Sequence, residues 1–127
     1  MEKVVINTLD APAAIGPYSQ AVKMGNLVFV SGQLPINSHT GVLVTDDIRK
    51  ATKQSMDNVE AILKKAGTSM DNVVKTTAFL SDMKNFAPFN EVYGMYFKDK
   101  MPARSAIQIV KLPKDAIVEV EVIALIP

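Results

Sequence analysis

The stretch "IVEVEVIAL" (117–125) decides how this chain folds. Its alternation puts Ile117, Glu119, Glu121, Ile123 and Leu125 on one face of a strand, and Val118, Val120, Val122 and Ala124 on the other. The second face is wholly apolar and suits packing against helices. The first mixes hydrocarbon with two carboxylates. A carboxylate on such a surface needs water, a cation or hydrogen-bond donors, because isolated burial is expensive.

Upstream, "PARSAI" (102–107) carries Arg104 at the entry to a strand over about 105–111, and "LPKDA" (112–116) reads as a turn pairing it with 117–125. "VVKTTAFL" (73–80) is β-branched and apolar, hence another strand. Between these lies a helix over about 85–98, with Phe86, Phe89, Tyr93, Tyr96 and Phe97 on one side. Pro88 is tolerated in its first turn, and Met101-Pro102 ends it. A longer helix spans 46–66, striped by Ile48, Ser55, Val59, Ile62 and Ala66. Thr45 or Asp46 can cap its start, and Gly67 occupies the position just past its end. The N-terminal part gives a short strand, "KVVI" (3–6), and a hairpin of strands near 18–23 and 27–32 about Gly25-Asn26.

The order β, β-hairpin, α, β, α, β, β predicts one α+β domain over 1–127, a mainly antiparallel sheet with two helices on one face. Leu27 to Val30 and Val122 to Ile126 are apolar on both faces, yet two helices cover only one. The uncovered face predicts an oligomer.

Composition narrows the function classes. Of 127 residues, 48% are hydrophobic and 21% charged, which suits a globular core. Net charge is +1, from 14 basic and 13 acidic side chains, with no polybasic arm to capture nucleic acid or membrane. Cysteine is absent, so disulfides and thiolate chemistry are excluded. No signal-like or membrane-length apolar stretch is present, and a cytoplasmic location is expected. The only histidine, His39, lies in the turn "NSHTG" (37–41), which leaves no Ser-His-Asp arrangement. Neither a metal-ligand cluster nor a phosphate-binding glycine loop is visible.

What remains is Arg104 with the two glutamates. A guanidinium matches a carboxylate in a bidentate way that lysine cannot copy. Arg104 either pairs with a glutamate or keeps its fork for a small carboxylic acid, with a glutamate nearby to orient or deprotonate water. Tyr18, Ser31 and Gly32, in "GPYSQ" (16–20) and "VSGQLP" (30–35), sit at strand ends where a ligand can meet backbone N–H groups. Asn90 on the second helix is either polar surface or part of a site.

"APAAIGPYSQ" (11–20), "VSGQLP" (30–35), "NEVYGMYF" (90–97), "PARSAI" (102–107) and "LPKDAIVEVEVIAL" (112–125) together resemble the RidA (YjgF) family of imine deaminases. The similarity spans nearly the whole chain. It implies a chorismate-mutase-like (ferredoxin-like) α+β fold, assembled as a homotrimer around a central β-barrel with active sites between subunits. It also implies cofactor-free hydrolysis of 2-imino acids to 2-keto acids and ammonia. On that resemblance Arg104 holds the substrate carboxylate and Glu119 handles the water, while Tyr18, Ser31, Gly32 and Asn90 line the pocket. Many relatives have cysteine where this chain has Ala106, whose backbone is expected to supply the polar contact instead. Two other readings stand beside the deaminase. One is a non-catalytic module that binds small carboxylates. The other is an RNA-directed enzyme or translation inhibitor, using Arg49, Lys50 and Lys53 as a basic patch.

Overall fold

The computed structural model describes residues 1–127. Six strands form one mixed sheet: β1 (Lys3–Ile6), β2 (Ala21–Met24), β3 (Leu27–Gln33), β4 (Val73–Leu80), β5 (Ala103–Gln108) and β6 (Val118–Leu125). Two helices, α1 (Ile48–Ala66) and α2 (Phe86–Gly94), pack on one face, and the strand order is β1-β2-β3-β6-β4-β5. All neighbours are antiparallel except β4 and β5, which run parallel. A parallel pair needs a crossover, and α2 supplies it.

The expected hairpin between the last two strands does not form. β6 lies between β3 and β4, while β5 is the edge strand beyond β4. Burial explains the order. Val118, Val120, Val122 and Ala124 are all at most 2% exposed, as befits a central strand, whereas no residue of β5 is fully buried. "LPKDA" therefore carries the chain past the end of β4 rather than closing a hairpin. Its Lys114 and Asp115 both adopt left-handed backbone (φ 59° and 57°), an unfavourable conformation for side-chain-bearing residues.

The other boundaries differ less. Asp47, rather than Thr45 or Asp46, caps α1, its carboxylate accepting from the N–H groups of Arg49 and Lys50. Gly67 closes α1 in left-handed conformation (φ 90°). α2 ends at Gly94 rather than near Lys98. Beyond it the chain winds more tightly, with Tyr96 N–H donating to the Tyr93 carbonyl and Phe97 N–H to that of Gly94. This still delivers Phe97 to the core.

The core lies between helices and sheet. Met56, Val59, Ile62 and Leu63 of α1 and Phe89 of α2 are completely buried against β3, β4 and β6. Each such side chain contributes roughly 1.5–3 kcal/mol relative to exposure. The opposite face has no such cover. Val5, Val22, Phe29 and Ile123 stand in register across four strands there; Phe29 is 44% and Val5 56% exposed. Neither helix is long and apolar enough to cross a membrane.

Candidate functional site

Arg104 and Glu119 lie on opposite faces of the sheet. Arg104 is level with Thr76 of β4, and Thr76 with Val122 of β6, which places all three on the helix side. Glu119 is level with Phe79 on the other side. The pairing of Arg104 with a glutamate of the same chain is thereby overturned: pleat alternation sends the two side chains apart.

On the helix side, Arg104 Nη1 donates to Asn90 Oδ1 at 2.7 Å. Its guanidinium carbon lies 4.9 Å from the Tyr93 ring centroid and 5.4 Å from that of Phe86. One of the five guanidinium N–H donors is thus used, leaving the others for a ligand. Met101, Pro102 and Gly94 complete a shallow pocket around this group. Ala106, two residues on from Arg104, shares its face and packs half-buried against the core.

On the other side, Glu119 borders a cleft of about 810 Å³ together with Tyr18, Ser31, Gly32, Glu121 and Lys114. The strand β3 is irregular between Val30 and Gln33, which brings Ser31 and Gly32 beside the carboxylate. Ser31 Oγ donates to the Ser19 carbonyl at 2.6 Å, tying β3 to the loop that carries Tyr18. Burial, reinforced by the Glu121 charge, holds the Glu119 carboxyl above the usual carboxylate range. A methyl group on Gly32 would lie 2.7 Å from Glu119 Cδ. The obstacle is the end of a flexible side chain, so Gly32→Ala should fold normally but displace the carboxylate. A roughly tenfold loss in any Glu119-dependent rate is expected, with an unchanged unfolding midpoint.

Sequence reasoning overlooked Gln20. It is 2% exposed. Its amide nitrogen donates to the carbonyls of Thr8, Ala11 and Pro12, and its oxygen accepts from Thr8 N–H. One side chain therefore fastens the whole loop in front of Tyr18. A buried amide ending the "GPYSQ" motif was the available signal. Gln20→Leu should cost about 2 kcal/mol in urea unfolding, because buried carbonyls lose their donors. Protease sensitivity should rise within residues 8–18.

The remaining candidates disperse. His39 is exposed in its turn, its backbone N–H donating to Asn37 Oδ1. Arg49 forms an ion pair with Glu91 at 2.9 Å and Lys53 with Asp57 at 2.7 Å, which blunts the basic patch. No three metal-ligating side chains converge.

Known proteins are similar to this chain over nearly its whole length. The family described as Endoribonuclease L-PSP matches residues 8–126. A RutC family protein of Pyrococcus abyssi is 51% identical, covering 98% of each chain. A mouse protein named 2-iminobutanoate/2-iminopropanoate deaminase is 47% identical over 94% of this chain and 89% of its own. The crystal structure of YyfA from Yersinia pestis, described as a member of the conserved Rid protein family, superposes with a TM-score of 0.95 at 49% identity, covering 98% of this chain and 99% of that one. Matches of this extent and identity leave one assignment: the chain belongs to the RidA (YjgF) family.

Proposed function

We propose that this protein hydrolyses reactive 2-imino acids and their enamine tautomers, such as 2-iminobutanoate and 2-iminopropanoate, to 2-keto acids and ammonia. The site is built between copies of the chain arranged as a homotrimer about a central barrel. One observation carries this reading. A guanidinium with free donors sits on one face of the sheet, and a carboxylate of raised proton affinity sits on the other. A second copy laid against the open sheet face brings one protomer's Arg104 to another's Glu119, and covers the apolar row from Val5 to Ile123. The activity named for the mouse relative points the same way.

In this mechanism Arg104 grips the substrate carboxylate through two parallel N–H donors, fixing the adjacent C=N carbon. Asn90 keeps the guanidinium in register, and the backbone at Ala106 contributes a polar contact. Glu119 of the neighbouring copy takes a proton from water as its oxygen adds to the imine carbon. Glu119 passes that proton to the imine nitrogen, giving a neutral carbinolamine. That intermediate collapses: the hydroxyl proton is relayed to the amino nitrogen, C=O forms and the C–N bond breaks to release ammonia, leaving Glu119 as the carboxylate. Tyr18, Ser31 and Gly32 line the approach. Positioning with one general base is enough, since free imines already hydrolyse in water.

The test generates 2-iminobutanoate from threonine with a dehydratase and traps surviving imine with semicarbazide. The protein should reduce trapping in proportion to its concentration. Trapping unchanged by the protein would overturn the proposal, as would a solution mass equal to one chain. The RNA-directed reading draws on the family description and on the endoribonuclease and translation-inhibitor names of some solved relatives, and the ion pairs of Arg49 and Lys53 weaken it. Salt-dependent RNA cleavage that co-purifies with the protein would revive it. Binding of a small carboxylate without turnover would favour the regulatory module.

A further inference from the structure

The aromatic stripe of α2 divides into two functions. Phe89 and Phe97 are buried in the core. Phe86, Asn90 and Tyr93, at i, i+4 and i+7, face Arg104 across the gap between α2 and β5, Tyr93 from within the buried core. Tyr93 is itself fixed at its far end. Its hydroxyl shares a 2.7 Å hydrogen bond with Thr76 Oγ1, and Thr76 is fully buried. The ring also packs between neighbours, 5.4 Å from Phe89 and 4.9 Å from Phe97 by centroid.

We propose that Tyr93, assisted by Phe86, is a positioning residue that holds the Arg104 guanidinium ready for a carboxylate, and so sets the affinity for the 2-imino acid. This rests on the deaminase reading and extends it to residues that act through Arg104. The physical reason is entropic as well as electrostatic. A free arginine side chain samples many rotamers, and ordering it on binding costs affinity. Ring contact at 4.9 Å and the Asn90 hydrogen bond absorb that cost during folding. Burial pushes the Tyr93 phenol up, against opposing pulls from Thr76 and Arg104, so it stays neutral beside the cation. The faces of both rings offer negative quadrupole to the guanidinium without competing for its N–H donors, as a carboxylate would.

The test compares Tyr93→Leu and Tyr93→Phe with the wild-type protein in three readouts: KM and kcat for 2-iminobutanoate, Kd for 2-oxobutanoate as a stable carboxylate probe, and NMR relaxation of the Arg104 Nε–H. Tyr93→Leu should raise KM and Kd roughly tenfold with kcat changed less than about threefold, and should make the Nε–H mobile. Tyr93→Phe keeps the ring and loses only the Thr76 contact. It should unfold at lower urea yet retain affinity and a rigid guanidinium, a separation that a merely structural tyrosine would not give. A folded Tyr93→Leu with wild-type Kd and wild-type relaxation overturns the proposal. If Tyr93→Leu does not fold, Phe86→Leu, at a half-buried position, replaces it. A roughly threefold rise in Kd with increased mobility supports the proposal, and neither change overturns it. Should the wild-type protein not consume the imine at all, the deaminase reading fails separately, and the Nε–H relaxation still decides whether α2 holds the guanidinium.

Discussion

Arg104→Ala should lower kcat/KM for 2-iminobutanoate by roughly 10²–10⁴-fold, most of it through KM. Two charge-assisted hydrogen bonds to a carboxylate, each worth about 1.5–3 kcal/mol, are lost together. The substitution also leaves Asn90 Oδ1 without its donor and strips a cation from the faces of Tyr93 and Phe86. Both lie at the partly open α2–β5 edge, so the unfolding midpoint should move little. Arg104→Lys is the sharper comparison. Lysine restores charge but not the planar fork, and its single ammonium cannot serve Asn90 and both carboxylate oxygens from that position. It should recover no more than about a tenth of the lost kcat/KM. Recovery of most activity by lysine would mean that only bulk positive charge matters at this edge. Equal activity in Arg104→Ala would remove the group on which the site is built.

How much of this the sequence carried depends on how far apart in the chain the deciding residues lie. The faces of β6 were legible because period-two alternation is a local property. Val118, Val120, Val122 and Ala124 are buried and their neighbours are not, as the pattern "IVEVEVIAL" required. α1 and β4 were legible for the same reason. The partner of β6 was not, because proximity in sequence favoured β5, whereas the complete burial of its apolar helix-side face goes with a central position between β3 and β4. Arg104 and Glu119 were recognisable as chemistry, but their separation by the sheet follows from the parallel register of β5 on β4, which no local pattern encodes. Gln20 and Tyr93 were hidden differently. Each reads as ordinary structural material, and only its hydrogen-bond and ring partners, from 8 to 17 residues away, reveal what it holds in place.

Glu119→Gln should separate activity from stability. The deamination rate should fall by about 10²–10⁴-fold, because glutamine cannot accept the proton from water. The wild-type rate should also drop as pH falls through the raised pKa of Glu119, and this acid limb should vanish in the variant. Stability should move the other way. Burial first, and the Glu121 charge second, make the folded chain bind this proton more tightly than the unfolded chain does. The contribution of Glu119 to stability is therefore full below the unfolded pKa of about 4.3, and is lost as pH rises through the higher folded value. Glutamine carries no charge to desolvate. The variant should thus resist urea better than wild type near neutral pH, and the two midpoints should converge near about pH 4. Measured on the assembled protein, the comparison also probes the interface. If a neighbouring Arg104 already neutralised Glu119 without substrate, the variant would be less stable at neutral pH, because removing the carboxylate would strand a half-buried guanidinium. A more stable, inactive Glu119→Gln protein instead means that the arginine is kept for the substrate carboxylate, and that the glutamate's unpaired charge is the cost of having a base there.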